Sequence, residues 1–346
     1  MSRAAGSADE QAVTAERCAA QLLCGAPAGS PEEVARRLLA IQAQDPRGAR
    51  LTIRSRSAGL AASDVDSALA RRSLVVTWLN RGTLHLVRAE DYWWLHPLTT
   101  PQLRAGNARR LAQEGVPPQD AERGVAAIQA ALAADGPLTR SQLRERVAAA
   151  KVRTEGQALV HILLLASIRG LIVRGPVAGR DQAFVLVRDW LGAPPAALDP
   201  EAALGELARR YLAGHAPAAD RDLARWAGIG LREARLGLAR CGAIQRADRL
   251  AELPSNPQRA AAALPPPRLL GAFEPLLLGW ASRDPIVGAH RRIVTVNGLF
   301  RPFALAGGRA VATWNIAGGQ VVLAPFAPLD TQTQAALAAV MRFLGQ

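Results

Sequence analysis

An internal repetition constrains this fold more than any other feature of the sequence. The segment Gly136-Pro-Leu-Thr-Arg-Ser-Gln-Leu143 has the same pattern as Ala216-Pro-Ala-Ala-Asp-Arg-Asp-Leu223, about 80 residues later. A repeated pattern at this spacing is typical of a chain built from similar supersecondary units. At 346 residues the chain is also long for one compact core, so several small domains are expected.

The first unit is predicted to contain three helices and a β-hairpin. About ten unstructured residues precede it. Its helices are predicted at Ala12–Leu23, Pro31–Gln44 and Ser63–Arg72, with Ser30 and Ser63 as N-caps. Two β-rich runs, Leu74–Leu79 and Thr83–Val87, flank a turn that contains Gly82. This order is typical of a winged helix, a fold that often binds DNA.

The same order returns in the next two units. In the second unit, helices are predicted at Asp120–Ala133 and Thr154–Arg169. A short helix is predicted between them, after Gly136, with Thr139 or Ser141 as its N-cap. A hairpin of Leu171–Arg174 and Ala183–Val187 follows the last helix. The third has predicted helices at Pro200–Gly214 and Leu231–Arg240. We therefore expect an α+β protein with three tandem winged-helix modules, at residues 11–112, 116–192 and 199–253.

The remainder of the chain, residues 265–346, is predicted to be a small β-sheet or barrel domain. A linker rich in proline and alanine, Pro254–Pro267, leads into it. Strands are predicted at Leu276–Trp280, Arg292–Val296, Phe300–Leu305, Arg309–Trp314 and Gln320–Leu323, with a closing helix at Asp330–Phe343. Turns at Asn297-Gly298, Gly307-Gly308 and Gly318-Gly319 separate the later strands.

The net charge and the residue usage indicate which binding partners and which kinds of functional site to expect. The formal net charge of +13 favours a polyanion such as DNA, with an acidic membrane surface as the weaker alternative. Because no apolar stretch of about 18 residues and no signal-peptide pattern occur, we expect a cytoplasmic, nucleoid-associated protein without membrane contact. The scattered histidines and the three cysteines predict no metal site, and no motif predicts a cofactor.

Polar side chains interrupt an apolar run at Gln42-Ala43-Gln44-Asp45, just before Pro46. In a continuous helix Gln42 and Gln44 would point about 200° apart, so they can share a cavity only if the helix unwinds there. Pro46 disfavours a helical conformation at Asp45 and so predicts that unwinding. The alternative is that both glutamines cap a helix end or lie in solvent.

Several motifs are distributed along most of the chain. They are Leu39-Ala-Ile-Gln-Ala-Gln44, Thr77-Trp-Leu-Asn-Arg-Gly-Thr-Leu-His-Leu86, Ala224-Arg-Trp-Ala-Gly228, Leu269-Leu-Gly-Ala-Phe-Glu-Pro-Leu-Leu-Leu-Gly-Trp280, Asn297-Gly-Leu-Phe-Arg-Pro302 and Gly308-Arg-Ala-Val-Ala-Thr-Trp314. With these motifs the sequence resembles the AlkZ-type DNA glycosylases from about Val13 onward. In that family three winged-helix modules precede a C-terminal β-domain. The resemblance implies a monomeric glycosylase that releases N7-alkylated purines, including interstrand crosslinks, from double-stranded DNA.

The family's catalytic Gln, aliphatic residue and Gln fall on Gln42, Ala43 and Gln44; a second branch of the family has Asp in the last place. An amide carbonyl can orient the attacking water without an ionised base. We therefore assign water orientation to Gln44 and support of the water or the sugar to Gln42. Asp45 is a candidate electrostatic stabiliser of the oxocarbenium ion, or alternatively a helix-end or arginine-paired surface carboxylate. Glu274 stands where the family pattern predicts aspartate, and its role is left open.

Arginines are the candidate contacts to the DNA backbone. They are Arg47, Arg50 and Arg54 beside the glutamines, Arg81 in the hairpin turn, and Arg283, Arg291 and Arg292 in the C-terminal domain. For each of them the alternative is a solvated or internally paired side chain. His85 either faces the DNA groove or packs beneath the hairpin.

Two other functions fit a winged-helix chain. A DNA-binding regulator would usually need a symmetric dimer, whereas three unlike modules suit one-sided wrapping of a lesion. A lesion-binding protein without catalysis cannot be separated from a slow glycosylase by sequence.

Lys151 is the only lysine, so a lyase reaction through a lysine amine has a single side-chain candidate.

Overall fold

The computed structural model describes residues 2–179, 181–255, 262–295 and 298–344. The helices in these ranges are α1 (Ser2–Ala20), α2 (Pro31–Leu38), α3 (Pro46–Arg54), α4 (Ala62–Ala70), α5 (Ala89–Thr99), α6 (Leu103–Gln113), α7 (Pro118–Asp135), α8 (Arg140–Ala149), α9 (Ala158–Ile168), α10 (Val187–Leu191), α11 (Pro200–His215), α12 (Asp220–Ala227), α13 (Leu231–Arg240), α14 (Pro275–Leu278), α15 (Asp284–Val287) and α16 (Thr331–Leu344). The strands are β1 (Ile41–Gln42), β2 (Leu74–Leu79), β3 (Thr83–Arg88), β4 (Ile172–Ala178), β5 (Asp181–Leu186), β6 (Ile244–Gln245), β7 (Ala251–Glu252), β8 (Arg268–Leu270), β9 (Phe303–Ala306), β10 (Arg309–Ala317) and β11 (Gln320–Pro325).

The chain forms two compact units. The first consists of Met1–Ala62, Leu204–Trp226 and Gly230–Gln346, and the second of Ser63–Ala203 and Ala227–Ile229. Helices and small antiparallel sheets are mixed in this fold, so the predicted α+β class is confirmed. The number of winged-helix modules and their boundaries stay a prediction.

Two hairpins form the sheet of the second unit. β2 pairs with β3 from Leu74 opposite Arg88 to Leu79 opposite Thr83, and β4 pairs with β5. β2 also pairs with β4 at Val76 opposite Arg174, which gives the order β3-β2-β4-β5 within this unit. Each hairpin was predicted from its own strands and turn, but no local signal predicts that the two would join.

A capped helix in the second unit confirms one local prediction. Thr139 is the N-cap of α8: its hydroxyl accepts from the backbone N–H of Gln142, and the Gln142 side chain accepts from the backbone N–H of Thr139. This capping box satisfies two backbone donors that a helix start would otherwise leave unpaired.

The first unit contains a buried aromatic cluster. Tyr211 stacks on His215 with ring centroids 4.7 Å apart, and Trp226 and Trp280 lie 5.4 and 5.6 Å from the His215 ring. The Tyr211 hydroxyl donates to the Gly279 carbonyl at 2.7 Å, and the Trp280 indole donates to the His215 carbonyl at 3.1 Å. Burial lowers the pKa of His215 to about 3, so this ring packs as a neutral group.

The C-terminal domain contains an open four-stranded sheet in the order β11-β10-β9-β8. Residues of the strands and of α16 form its core: Leu269, Ala304, Ala312, Trp314, Val321 and Leu337. The Trp314 indole donates to the Leu270 carbonyl at 2.9 Å, which ties β10 to β8. Of the two predicted alternatives, sheet or barrel, the structure has the sheet.

The helix predicted at Pro31–Gln44 is too long. α2 ends at Leu38, because Leu39 adopts a left-handed conformation with φ 63° and the Ala40 N–H donates to the Leu38 carbonyl at 2.8 Å. The residues from Leu38 to Ile41 are all buried. A continuous apolar run does not distinguish a helix from a buried extended segment, and packing selects the second here.

Three other predictions differ from the structure. Leu276–Trp280 was predicted as a strand, but Glu274 caps a short helix there and Pro275 occupies its first position. Arg292–Val296 was also predicted as a strand; residues Arg291–Ile293 form a 3₁₀ helix, and Val296 lies outside the described residues. The first ten residues were predicted to be unstructured, whereas α1 begins at Ser2. Residues 256–261 and 296–297 lie outside the described ranges. The predicted linker Pro254–Pro267 and the predicted turn at Asn297-Gly298 therefore fall partly outside them.

Candidate functional site

The glutamine segment is a short extended stretch between two helices. β1 covers Ile41–Gln42, and Asp45 has extended backbone angles (φ −104°, ψ 110°) before α3 begins at Pro46. Gln44 lies in a bend between these two positions. The chain is thus not helical at the glutamines, and the contact between their amides shows that Gln42 and Gln44 face the same way.

The two amides are hydrogen-bonded to each other. Gln42 Nε2 donates to Gln44 Oε1. Gln42 is buried, with 6% of its surface exposed, whereas Gln44 is exposed. Gln42 Oε1 is buried and has no hydrogen-bond partner among the described residues. Since a carbonyl oxygen has two lone pairs, Gln44 Oε1 can accept a further hydrogen bond from a substrate group or water.

Asp45 begins α3 instead of ending the preceding helix. Its Oδ1 accepts from the Arg47 N–H at 3.0 Å, which makes it the N-cap, and Pro46 takes the first helical position. A carboxylate is stabilised there by the unpaired backbone N–H groups and the positive end of the helix dipole. Asp45 thus anchors the glutamine segment to α3.

The start of α3 is held by direct backbone packing. A Cβ atom added at Gly48 would lie 2.4 Å from the Ala272 carbonyl oxygen, and one added at Gly271 would lie 2.9 Å from the Gly48 Cα. Only residues without a side chain allow the two backbones to approach this closely. The segment 271–272 of the C-terminal domain therefore positions the first turn of α3.

The other end of α3 is held by a buried ion pair that the sequence did not predict. Arg56, two residues after the helix, pairs with Glu274, and both side chains have no exposed surface. Arg56 also donates to the Gln21 side chain at 2.9 Å and to the Thr52 carbonyl at 3.1 Å. Glu274 is the N-cap of α14, accepting from the Leu276 N–H at 3.2 Å. The carboxylate whose role was left open is therefore structural.

We expect Gly48→Ala to lower the free energy of unfolding by about 1–3 kcal/mol, because the new methyl group must push α3 away from Ala272. Base release should slow as well, since the glutamines precede the displaced turn. Gly106→Ala in α6 is the matched control: its Cβ would meet nothing within 4 Å, so this variant should be neutral or more stable by up to about 1 kcal/mol. Chemical denaturation of both variants measures the difference, and equal stabilities would show that the contact is not tight.

Three predicted DNA-contacting arginines lie on α3. Arg47, Arg50 and Arg54 follow the spacing i, i+3, i+7, which places them along one face of the helix. Arg47 is exposed, and Arg50 and Arg54 are half-buried. Arg50 Nη1 donates to the Pro46 carbonyl at 2.9 Å, which holds its guanidinium near the start of the helix.

The two candidate DNA contacts in the β2–β3 hairpin differ in their exposure. Arg81 is exposed in the β2–β3 turn, whereas His85 is buried with 3% exposed. The His85 Nδ1–H donates to the Thr83 carbonyl at 2.9 Å. Burial, together with the nearby Arg81 charge, lowers the pKa of His85 to about 3 against the effect of that hydrogen bond. This geometry favours packing of His85 beneath the hairpin over a contact with the DNA groove.

The candidate DNA-contacting arginines of the C-terminal domain lie in or beside two short helical segments. Arg283 is half-buried and precedes α15, and its Nε–H donates to the Leu277 carbonyl at 3.0 Å. Arg292 is exposed. Arg291 lies in the 3₁₀ helix, but its side chain is outside the described residues.

The Cys18 thiol and the metal-ligating side chains were considered as further candidate sites in the described ranges. Burial raises the pKa of the Cys18 thiol to about 12, which keeps it protonated. Within residues 2–179, 181–255, 262–295 and 298–344, no three His, Cys, Asp or Glu side chains are grouped so that they could hold a metal ion. In the same ranges no helix has the length and apolar character to span a membrane.

Comparison with known proteins decides the family. The model of the DNA glycosylase AlkZ-like family matches residues 35–346. The chain belongs to the AlkZ-like DNA glycosylases. It is 29% identical over 322 residues to the interstrand DNA cross-link repair glycosylase of Streptomyces sahachiroi, covering 86% of this chain and 85% of that protein. The solved structure of the S. sahachiroi DNA glycosylase AlkZ superposes with a TM-score of 0.77 at 25% identity and covers 96% of this chain and 95% of the other.

Membership in the AlkZ-like family confirms the resemblance seen in the sequence motifs. The protein is a DNA glycosylase, and DNA is its substrate. The regulator without catalysis is thereby excluded as the main function. The roles of the individual glutamines and arginines are not decided by family membership and are taken up as proposals.

Proposed function

We propose that this DNA glycosylase hydrolyses the N-glycosidic bond of N7-alkylated purines in duplex DNA, and that interstrand crosslinks through such purines are among its substrates. The observation that carries the proposal is the hydrogen-bonded amide pair of Gln42 and Gln44 in the extended segment before α3. The similarity to a relative named for interstrand crosslink repair supports the second part.

The amide pair suits a base that is already activated. A purine alkylated at N7 is cationic, so its glycosidic bond breaks without protonation and the base leaves as a neutral molecule. The remaining task is to hold a water molecule against the sugar carbon as oxocarbenium character develops. An amide carbonyl orients that water as a hydrogen-bond acceptor, and it does not titrate near neutral pH.

The two glutamines have different positions and therefore different proposed roles. The exposed Gln44 presents Oε1 to the attacking water, and the hydrogen bond from Gln42 fixes the orientation of that amide. Gln42, whose own Oε1 is buried, supports the water or the sugar through its hydrogen bond to Gln44. Asp45 keeps the segment at the start of α3, and its negative charge contributes to stabilising the oxocarbenium ion.

The DNA contacts are proposed from the positive charge of arginine side chains. We assign backbone phosphates to Arg47, Arg50 and Arg54 on one face of α3, to Arg81, and to Arg283, Arg291 and Arg292 of the C-terminal domain. The winged-helix modules predicted from the sequence are the expected duplex-binding elements of a monomer. A bulky crosslinked base need not be flipped into a tight pocket, because its glycosidic bond is already labile.

The deciding experiment is incubation with duplex DNA that carries N7-methylguanine and, separately, an N7-guanine interstrand crosslink. Heat or alkali then converts abasic sites into strand breaks. We expect breaks at the modified guanine and separation of the crosslinked strands. Binding without breaks on either substrate would identify a lesion-binding protein instead, and breaks on N7-methylguanine alone would remove crosslinks from the substrate range.

We further expect the enzyme to be monofunctional, leaving an intact strand with an abasic site. A lyase forms a Schiff base through an amine, and Lys151, the only lysine, lies in the turn after α8 of the second unit, far in sequence from Gln44. Borohydride added during the reaction should trap no covalent complex with DNA. A trapped complex that disappears in Lys151→Ala would replace water by an amine nucleophile in the mechanism.

A further inference from the structure

A second arginine-rich surface lies in the first unit, apart from the residues of the glutamine segment. α12, the residues 280–288 and Arg17 of α1 enclose a cavity of about 730 Å³. Four arginines line it: Arg17, Arg221, Arg225 and Arg283. Its apolar wall includes Trp280 and Val287, both buried. Arg283 is already among the proposed DNA contacts, whereas neither the family comparison nor the sequence motifs assign a function to Arg221, to Arg225 or to the cavity they line.

The arginines are held in place by the fold. Arg221 and Arg225 are exposed and lie four residues apart on α12, so they project from the same face. Arg283 is fixed by its hydrogen bond to the Leu277 carbonyl and by the Phe300 ring, whose centroid is 5.0 Å from the guanidinium carbon. A guanidinium stacked on an aromatic ring keeps its outer N–H donors directed outward.

The lining of the cavity contains fewer carboxylates than guanidinium groups. Asp222 is buried, and its oxygens accept from the Ala219 and Ala281 N–H groups at 2.8 and 2.9 Å. Arg17 stacks on Trp280 at 4.6 Å and has its guanidinium 3.9 Å from Asp222. Asp284 is exposed at the rim. The lining therefore has four guanidinium groups and two carboxylates, one of which is engaged by the backbone.

Two of the guanidinium groups repel each other. Burial lowers the pKa of Arg283, and the positive charge of Arg225 lowers it further. An anion placed between the two side chains would reverse that repulsion into attraction. The corresponding positions of the second repeat, 80 residues earlier, hold Ser141 and Glu145, so this basic pair is not required by the helical architecture itself.

We propose that this cavity binds a backbone phosphate of the DNA substrate, with Arg221, Arg225 and Arg283 as donors to the phosphate oxygens. Arg is suited to this because its planar guanidinium can donate two parallel hydrogen bonds to one phosphate. The volume of the cavity leaves room for the adjoining sugar, which would contact the wall near Val287. The inference rests on DNA being the substrate, as the proposed function requires, but not on the catalytic role of the glutamines.

The test compares two double variants that lose the same charge. Arg221→Ala, Arg225→Ala removes the pair in the cavity. Arg123→Ala, Arg146→Ala removes two exposed arginines that pair with Asp120 and Asp135 in the second unit. Affinity for an undamaged 20-base-pair duplex is measured between about 50 and 200 mM salt, and single-turnover release of N7-methylguanine is measured with all DNA bound.

The cavity variant should bind about tenfold more weakly and lose about one to two units of the slope of log affinity against log salt concentration. The control pair should change the slope by less than about half a unit and should release base at the wild-type rate. An unchanged slope in the cavity variant, or an equal loss in the control, would overturn the site. Since binding to undamaged DNA needs no catalysis, failure of base release in the wild type would count against the proposed reaction and not against the cavity.

Binding measured without DNA separates a DNA phosphate site from a site for free anions. Inorganic phosphate and a mononucleotide are each titrated into wild type and into the cavity variant. Tighter binding of the mononucleotide by wild type, with equal affinity of the two proteins for DNA, would make the cavity a site for free nucleotides and the DNA assignment wrong. Weaker DNA binding by the cavity variant supports the DNA assignment whether or not the free anions also bind, because a phosphate site can accept a free phosphate.

Discussion

Gln44→Ala is expected to slow single-turnover base release at least about tenfold, which corresponds to about 1.4 kcal/mol of transition-state stabilisation. The exposed amide of Gln44 is the group placed to orient water, and alanine leaves no acceptor at that position. Affinity for DNA containing N7-methylguanine should remain nearly unchanged, because the side chain is uncharged. Rates with enzyme in excess and equilibrium binding measure the two effects separately.

Gln42→Ala should also slow the reaction, since the Gln44 amide then loses the donor that fixes its orientation. The double variant should be little slower than the slower single variant, because the two residues act as a unit. Gln119→Ala, at an exposed position of α7, is the control and should release base at the wild-type rate. A double variant as fast as wild type would remove the glutamines from the mechanism.

Glu274→Gln is expected to destabilise the protein by about 3–5 kcal/mol, because it leaves the buried Arg56 guanidinium without a countercharge. Glu122→Gln is the matched control. Glu122 accepts two hydrogen bonds from Arg169 at 2.7 and 2.5 Å, but 60% of its side chain is exposed, so loss of this pair should cost less than about 1 kcal/mol. Denaturant unfolding of the two variants makes the comparison.

A double replacement shows whether the buried pair has a further role. Arg56→Met with Glu274→Leu removes both charges and should recover most of the lost stability, as apolar replacements of buried ion pairs often do. If the pair only stabilises the fold, the double variant should release base at the wild-type rate. We expect that rate to stay low, because Arg56 also donates to Thr52 and Gln21 and so fixes the end of α3. A recovered stability together with a recovered rate would rule out the positioning role.

Elements with strong local signals agree with the structure. The helix predicted at Leu231–Arg240 has those bounds as α13, and the strand predicted at Leu74–Leu79 has those bounds as β2. Thr139 caps α8 as its position before a polar helix start suggested. In each case the determining interactions are within a few residues: a cap, a glycine-containing turn, or one periodic apolar face.

Elements that depend on contacts distant in sequence were not predicted. The run from Leu38 to Ile41 has apolar residues on every side, so its conformation was decided by burial and not by periodicity. Glu274 is followed by Pro275 and three leucines, which suit a strand or a short helix, and the Glu274 cap selects the helix. Two partners of Arg56, Gln21 and Glu274, are distant in sequence, and no spacing rule connects them to it.

The sequence alone determined the chemistry that is present and the order in which it occurs: two glutamines before a proline, arginines directly after them, a repeated helical pattern and a C-terminal β-domain. These follow from side-chain identity and from short-range backbone preferences. The tertiary structure alone decided that the two glutamine amides meet in a non-helical segment, that Gly48 and Arg56 hold the two ends of α3, and that four arginines meet in one cavity. The contacts of Gly48, of Arg56 and of the cavity depend on close packing between segments more than 200 residues apart, and sequence patterns do not encode such distances.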